Sequence, residues 1–264
     1  MKKILILCVD YHSSSDTTKF VNTVLNIHPS VNVVLVLNSG AQHFENDFFS
    51  RERLFTYDFG SNLGYMQGAS NGLKAYLESN ELPDWVILSN TDIMFPDISI
   101  FERLSNDARD NLIIAPDIIS SDGVHQNPFL VRRLAKNKLK FLVAINSSAI
   151  ASLMYNFLAK IKSKIKVAYD KSVSSPLDIY APHGAFIIIA SSYFSRGGSL
   201  DHPTFLYGEE LILAERAARI DIKISYDKSY KIIHAEHVAT GKMPGTFRSK
   251  ALKESLNAVL EEYY

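Results

Sequence analysis

The chain is poor in the features that mark several special classes of protein. Its 264 residues contain a single cysteine, Cys8, which excludes an internal disulfide and gives no support to a cysteine-ligated metal cluster. Its apolar runs are all shorter than the roughly 18 to 20 residues of a membrane-spanning helix. Only 12 glycines and 9 prolines accompany 47% hydrophobic residues, a balance typical of an ordered globular protein.

A net charge is lacking too, although the charges are unevenly spread. The 28 basic and 28 acidic residues cancel, so nucleic acid is not expected as a partner. Residues 128–171, however, carry ten Lys and Arg and one acid, Asp170, which leaves plus nine there and minus nine over the rest of the chain. The apolar stretches 141–145 and 150–158 lie in the same basic segment. An anionic membrane surface attracts basic amphipathic helices, and a solvated helical insertion has the same composition, so both interpretations stay open. Nucleic acid is a third option, which is disfavoured because the segment lacks a recognisable binding motif.

The first residues have the charge order of a secretory signal peptide, with Lys2 and Lys3 before an apolar run. That run covers only residues 4–9 and ends at Asp10 without a small-residue cleavage site, so it predicts a first strand instead. We therefore expect a cytoplasmic protein.

Apolar runs alternate with amphipathic segments over the first hundred residues. The runs predict strands at residues 4–9, 31–37, 54–59 and 85–89, and the segments between them predict helices at about 14–27 and 66–79. Strands that alternate with helices at this spacing are joined by right-handed crossovers and form a mainly parallel sheet. Beyond Ser105 the pattern is less regular, with strands predicted at 112–116, 186–190, 222–226 and 231–234 and helices at 209–219 and 249–263. No internal repeat or low-complexity linker occurs, so we expect one domain in two halves.

The fourth predicted strand stops abruptly on Asn90-Thr91-Asp92. In parallel sheets ligands bind beyond the carboxyl ends of the strands, where Asp92 would lie. A carboxylate with an amide two residues earlier suits a divalent cation that holds a phosphorylated ligand. The alternative is that Asn90 and Asp92 close the strand through turn hydrogen bonds.

Glycines recur in the loop that joins the third strand to the next helix, at Gly60, Gly64 and Gly68. Glycine permits close backbone approach, and free amides at a helix start attract a phosphate or a hydroxyl-rich ligand. The loop has neither the dinucleotide fingerprint nor the Gly-Lys-Ser/Thr ending of a P-loop, and tight packing explains its glycines equally well.

Two further groups carry candidate chemistry. Glu209 and Glu210 open a predicted helix just after Gly208, where a glutamate serves either as a general base or simply as a favourable charge at the helix start. His234 closes an apolar strand and is a candidate metal ligand, with His237 as its competitor and a hydrogen-bonded core histidine as the alternative.

The order of these pieces resembles that of the family 2 glycosyltransferases, and most closely their bacterial rhamnosyltransferase-like branch. The resemblance spans about residues 4–240, except for the basic segment. Its motifs are Val9-Asp10-Tyr11, Asn62-Leu63-Gly64 with Asn71-Gly72, Asn90-Thr91-Asp92, His183-Gly184-Ala185-Phe186, Gly208-Glu209-Glu210 with Arg216, and His234.

The resemblance implies a GT-A type α/β fold, a Rossmann-like mainly parallel sheet flanked by helices, with the basic segment as a helical insertion. It implies a single domain over residues 1–264, in which 1–105 form the nucleotide-sugar-binding half. Residues 106–240 would form the acceptor half, which includes the insertion 128–171, and 241–264 a C-terminal helix.

The implied activity is an inverting transfer of a hexosyl or deoxyhexosyl group from a UDP- or dTDP-sugar to an acceptor hydroxyl, with Mg²⁺ or Mn²⁺ as cofactor. Bacterial surface polysaccharide, either O-antigen or capsule, is the expected product. The acceptor would be a glycan or a lipid-linked glycan, met by a cytoplasmic enzyme with peripheral contact to the anionic inner membrane face.

By position, the resemblance assigns Asp92 and His234 to the metal and Glu210 to the catalytic base, with Glu209 beside it. The donor-binding residues would be Val9, Asp10, Tyr11, Asn38, Asn62, Gly64, Asn71 and Asn90.

The sequence departs from the family at three positions. Leu37 and Asn90 stand where relatives commonly have acids, and Glu210 replaces the commoner aspartate. The first two departures leave room for a non-catalytic glycan- or nucleotide-sugar-binding protein of the same fold. A sugar nucleotidyltransferase would use a similar sheet, but the glycine-rich basic motif expected after its first strand is missing at residues 10–13.

Overall fold

A computed structural model describes residues 1–148, 150–151, 175–236 and 244–264. Its first four strands are β1 (Ile4–Asp10), β2 (Val31–Leu37), β3 (Leu54–Tyr57) and β4 (Trp85–Ser89). They lie side by side in the order β3-β2-β1-β4, and each neighbouring pair is parallel. The parallel arrangement predicted for the first hundred residues is therefore confirmed.

The helices of this half are α1 (Ser14–Ile27) and α2 (Tyr65–Leu77), with a short 3-10 helix at Asn46–Ser50. The remaining elements, in chain order, are β5 (Ile93–Met94), α3 (Ile100–Asn106), β6 (Leu112–Ser120), α4 (Lys136–Ile145), β7 (Leu177–Ile179), β8 (Phe186–Ala190), α5 (Ser191–Ser195), α6 (Glu209–Arg219), β9 (Lys223–His234) and α7 (Gly245–Tyr263).

The later strands extend the same sheet in the order β4-β8-β6-β9-β5, and β7 pairs with β9. Strand β8 is antiparallel to both β4 and β6, whereas β9 is parallel to β6. Strands β1, β2, β4, β6 and β9 consequently end at the same edge of the sheet, and β8 begins there. The polar residues that follow these strands therefore lie along this edge.

Both faces of the sheet are covered by apolar side chains. Ile4, Ile6 and Cys8 point to one buried cluster, while Leu5 and Leu7 point to the other. A strand that is apolar on both faces reads as a continuous hydrophobic run, which is why the central strands are recognisable in the sequence.

Strand β9 differs from the prediction, because one strand of 12 residues replaces the two short ones expected at 222–226 and 231–234. Its pairing with β6 jumps from Asp227 to Lys231. The Asp227 carboxylate accepts hydrogen bonds from the backbone N–H and the hydroxyl of Ser229, at 3.0 and 2.7 Å, and so holds a bulge within the strand. Polar bulge residues interrupt the apolar pattern of a strand, so the sequence predicts a loop between two shorter strands.

Other boundaries differ by a few residues. Strand β6 runs on to Ser120 instead of ending at 116, and α7 begins at Gly245 instead of 249. The short strands β5 and β7 were not predicted, since two or three residues give no periodic signal.

The basic segment is only partly described. Its helix α4 packs against α7, and Leu139 shares a buried apolar cluster with Leu256 and Val259, whereas Phe141 is half exposed. Residues 149 and 152–174, which include five of the ten basic residues and most of the apolar stretch 150–158, lie outside the described residues. Among the described helices, none has the length and apolarity needed to cross a bilayer.

Candidate functional site

A cleft of about 670 Å³ opens at the edge of the sheet where β1, β2, β4 and β9 end. Most of the predicted site residues line it, namely Val9, Tyr11, Asn38, Asn62, Gly64, Asn90, Asp92, Glu209, Glu210 and His234. The cleft thus brings the candidate metal ligands and the candidate base together.

Asp10 does not line the cleft. Its carboxylate is buried and accepts hydrogen bonds from the hydroxyls of Ser13, Thr17 and Ser39, at 3.0, 2.6 and 3.2 Å. These contacts tie the end of β1 to the start of α1 and to the loop after β2. In this structure the carboxylate holds the walls of the cleft in place.

Asn38 organises the loop before α2. Its Nδ2 donates to Oδ1 of Asn62 at 3.0 Å and to the carbonyl oxygen of Gly64 at 2.9 Å. Gly64 has a φ of +78°, and a Cβ there would collide with the carbonyl oxygen of Phe205. This glycine therefore lets the loop pack against the segment that leads to Glu209. Asn71, by contrast, lies on α2 outside the cleft lining and accepts a hydrogen bond from Gln67.

Asp92 and His234 lie face to face because the two-residue strand β5 pairs with the end of β9. The backbone N–H of Ala235 donates to the carbonyl oxygen of Asp92 at 3.0 Å, and Ile93 is opposite His234 in the pairing. Nε2 of His234 is 3.3 Å from Oδ1 of Asp92, and both side chains are nine-tenths buried or nearly so. Nδ2 of Asn90 lies 3.4 Å from the same Nε2.

Gln126 and Glu236 determine which ring nitrogen of His234 carries the proton. Glu236 can only accept, so the Gln126 atom 2.7 Å from its Oε1 is the amide nitrogen. The amide oxygen of Gln126 then faces Nδ1 of His234 at 2.9 Å and accepts a hydrogen bond from its N–H. In the neutral ring, Nε2 consequently presents a lone pair beside the Asp92 carboxylate.

A nitrogen lone pair beside a carboxylate oxygen is a donor set that fits a divalent cation, and a second contact that fixes the imidazole is typical of metal-ligating histidines. Within the described ranges no third His, Cys, Asp or Glu completes a protein-only metal cage. Substrate oxygens and water would have to supply the remaining ligands. His237 falls outside the described residues.

A strained turn positions the two glutamates. Tyr207 and Gly208 both have positive φ angles, of 69° and 80°, immediately before α6. Oε1 of Glu209 accepts from the backbone N–H of Tyr207 at 3.0 Å, and Oε1 of Glu210 accepts from that of Gly184 at 3.2 Å. Non-glycine residues with positive φ cluster at functional sites, where surrounding contacts maintain the strain.

Glu210 is adapted to exchange a proton near neutral pH. Burial raises its pKa to about 7, and the negative charge of Glu209 contributes in the same direction. The N–H of Gly184 acts oppositely, because a hydrogen bond to the carboxylate favours its charged form. A carboxylate of this kind, facing a cleft, is suited to general-base chemistry.

Several cleft residues had no role in the sequence-based prediction. His183 lines the cleft, and burial, with the charge of His234 as a smaller cause, lowers its pKa to about 4. Glu236 lines the cleft as well, and Gln126 contacts it from the hairpin that follows β6. No sequence pattern around Gln126 indicates a functional role. His183, in contrast, belongs to the motif His183-Gly184-Ala185-Phe186, which could have drawn attention to it.

Comparison with solved structures identifies the architecture. The crystal structure of GalNAc-T7 with UDP, GalNAc and Mn²⁺ matches with a TM-score of 0.62 and 12% sequence identity, over 99% of this chain and 48% of that chain. The chain has the GT-A fold. It spans about half the length of the GalNAc-T7 chain, so the match establishes the fold and leaves the activity to be argued from the site.

Other comparisons add little to this. A mannosyltransferase, PcManGT from Pyrobaculum calidifontis in complex with GDP-Man and Mn²⁺, matches with a TM-score of 0.49 and 11% identity, over 98% of this chain and 72% of that chain. No protein-family model matches the sequence, and no curated protein does. The rhamnosyltransferase-like branch therefore stays a prediction.

Proposed function

We propose that the protein is an inverting, metal-dependent glycosyltransferase that moves a sugar from a nucleotide-diphosphate sugar to an acceptor hydroxyl. The observation that carries this proposal is the shared cleft, in which the Asp92–His234 pair and the Glu210 carboxylate occur on a GT-A fold. Cation ligands and a base of raised proton affinity are the two chemical groups that such a transfer needs.

Asp92 and His234 would hold Mg²⁺ or Mn²⁺ at the donor diphosphate. When bound, the cation neutralises negative charge on the leaving diphosphate. The loop ordered by Asn38, with Asn62 and Gly64, lines the same cleft and would receive the donor. A UDP- or dTDP-sugar carrying a hexosyl or deoxyhexosyl group is the proposed donor.

Glu210 would act as the base. Its ionised carboxylate accepts the proton of the acceptor hydroxyl while that oxygen bonds to the sugar carbon and the bond to the diphosphate oxygen breaks. The diphosphate leaves with the electron pair, and a single displacement of this kind inverts the configuration at the carbon. General-base assistance typically contributes a rate factor of about 10² to 10⁴.

The proposal is tested with Glu210→Gln and Asp92→Ala, in a screen of UDP-, dTDP- and GDP-sugars with Mn²⁺. A preferred donor raises the melting temperature by mass action, so donor binding can be measured apart from transfer. We expect Glu210→Gln to lose transfer and to keep the donor-induced rise in melting temperature. Asp92→Ala should lose the part of that rise that depends on Mn²⁺. Equal turnover of wild type and Glu210→Gln would remove the base assignment.

A non-catalytic nucleotide-sugar-binding protein is the second candidate, favoured by the small number of protein metal ligands in the described cleft. The same screen separates it from an enzyme. Stabilisation by a nucleotide sugar, without transfer or donor hydrolysis at any acceptor tested, would support binding alone.

We further propose a lipid-linked glycan acceptor in bacterial surface polysaccharide synthesis, met at an anionic membrane face. Lys138 lies 4.9 Å from the ring centre of the half-exposed Phe141, so α4 presents cationic and apolar groups side by side. Such a surface is complementary to anionic lipid headgroups and the acyl boundary beneath them.

Vesicle flotation tests this membrane contact. We expect binding to phosphatidylglycerol-containing vesicles, little binding to pure phosphatidylcholine, and a loss in the Lys138→Gln/Lys140→Gln variant. Lys228→Gln/Lys231→Gln, which changes the same charge on β9, is the matched control. Equal flotation of both variants would contradict a specific role for α4.

A further inference from the structure

His183 has no role in the function proposed above, although its side chain lines the cleft. The backbone N–H of Ala185 donates to its Nδ1 at 3.2 Å. An imidazole nitrogen that accepts a hydrogen bond holds a lone pair, so in the neutral ring the proton is on Nε2. His183 therefore presents an N–H donor. The structure gives Nε2 no acceptor among the residues it describes.

The orientation of this ring is fixed from several sides. The backbone N–H of His183 donates to Oδ1 of Asn127 at 2.8 Å, and the buried Asn127 is itself anchored to the carbonyl oxygen of Pro116 at 2.9 Å. The ring of Phe129 stands nearly perpendicular to the imidazole, with 5.6 Å between centroids. A donor held in this way is positioned before any ligand arrives, which is the condition for effective electrostatic stabilisation.

His183 and His234 are neighbours with opposite hydrogen-bonding character. Their ring centroids are 6.0 Å apart. His234 presents a lone pair at Nε2, held by Gln126, whereas His183 presents an N–H. An anionic oxygen bound beside the Asp92–His234 pair is complementary to both features, because it can coordinate a cation on one side and accept a hydrogen bond on the other.

His183 is also next in sequence to a residue that contacts the candidate base Glu210. Gly184, the next residue, donates its backbone N–H to Glu210. The imidazole thus lies near His234, one of the residues proposed to hold the metal, and the next residue along the chain contacts the proposed base.

We propose that Nε2–H of His183 donates a hydrogen bond to a phosphate oxygen of the nucleotide-diphosphate sugar. This inference rests on the proposed function and adds a donor-binding residue to it. The histidine keeps its proton throughout. Its contribution is to stabilise the negative charge that accumulates on the diphosphate as the sugar departs.

Calorimetry with UDP and with GDP, each in the presence of Mn²⁺, tests the proposal on wild type, His183→Phe and His183→Gln. Phenylalanine keeps an aromatic ring against Phe129 and removes the donor, whereas the glutamine amide restores an N–H at similar reach. We expect His183→Phe to weaken binding of the preferred diphosphate about ten- to hundredfold, and His183→Gln to stay within about threefold of wild type. His43→Phe, an exposed histidine outside the cleft lining, is the matched control.

Uridine or guanosine monophosphate provides the second comparison, and we expect the loss to be smaller because the terminal phosphate is missing. Wild-type affinity for the diphosphate in His183→Phe would overturn the inference. An equal loss in His183→Phe and His183→Gln would also overturn it, since a purely structural role predicts that result. If wild type bound neither diphosphate with Mn²⁺, the proposed function would fail together with the inference, whereas the other two outcomes leave the proposed function intact.

Discussion

The backbone N–H of Gly184 donates to Oε1 of Glu210 at 3.2 Å, and this contact requires a glycine. A Cβ on residue 184 would lie only 2.8 Å from the same oxygen. Because a carboxylate at the end of a flexible side chain moves more easily than backbone does, an added methyl group would displace Glu210 and leave the sheet unchanged. The segment before β8 therefore sets the position of the candidate base.

Gly184→Ala is expected to reduce the transfer rate about ten- to hundredfold, since a displacement of about 1 Å has effects of this size on catalysis. Donor-induced stabilisation and the circular dichroism spectrum should stay as in wild type. Gly245→Ala, where a Cβ meets nothing within 4 Å, is the matched control. Full activity in Gly184→Ala would show that the position of Glu210 is not critical.

A pH dependence of the proposed transfer follows from the raised pKa of Glu210. Burial and the charge of Glu209 raise this pKa to about 7, so the carboxyl is protonated and inactive as a base at lower pH. The rate should therefore rise with pH through a midpoint near 7. Removing the neighbouring charge in Glu209→Gln should move that midpoint to lower pH, because less repulsion opposes ionisation of Glu210. A midpoint that stays in place or moves upward in this variant would contradict the coupling.

Several of these relationships were predictable from the sequence. The central strands are buried on both faces and read as uninterrupted apolar runs, so the ends of β1, β2 and β4 were located to within a residue. Because parallel strands end at the same edge of a sheet, these strand ends alone place Asn38, Asn90 and Asp92 at one edge. The helix start at Glu209 was found in the same way, from the glycine before it and the periodicity after it.

Other relationships depend on contacts between distant parts of the chain. Gln126 meets Glu236 across 110 positions, and nothing local distinguishes it from a surface glutamine. The bulge at Asp227 concealed the continuity of β9, because polar residues within a strand break the hydrophobic pattern. These features depend on the packing of the hairpin after β6 against β9, which only the three-dimensional structure shows.

The Gln126 contact leads to a prediction about metal affinity. In Gln126→Leu the amide oxygen that accepts the hydrogen bond from Nδ1–H of His234 is lost, so the ring is free to rotate and to carry its proton on Nε2 instead. We expect Mn²⁺ binding, measured by electron paramagnetic resonance with UDP present, to weaken about ten- to hundredfold. Gln42→Leu, on an exposed loop, should bind Mn²⁺ like wild type. If both variants kept their affinity for Mn²⁺, orientation of His234 by Gln126 would be unimportant.

Arg133 belongs to the basic segment but forms an ion pair with Glu215 of the same chain. Its guanidinium forms two hydrogen bonds with the carboxylate of Glu215, at 2.7 and 2.9 Å, and Tyr180 donates to the same carboxylate at 2.6 Å. Only 7% of the Glu215 side chain is exposed, whereas 49% of that of Arg133 is. Since Glu215 lies on α6 with Glu209 and Glu210, this pair fastens the start of the basic segment to the helix that carries the candidate base.

Arg133→Ala should therefore destabilise the fold, because it leaves a buried carboxylate without its cation. Removing one partner of a fully buried pair costs about 3 to 5 kcal/mol, and the exposure of Arg133 reduces the expected loss to about 2 kcal/mol. Urea unfolding of Arg133→Ala beside Arg132→Ala, its exposed neighbour, measures the difference at equal change of net charge. A loss of the same small size in both variants would mean that Glu215 is adequately held by Tyr180 and solvent. A loss confined to Arg133→Ala would identify Arg133 as a structural charge, in contrast to its exposed neighbour Arg132.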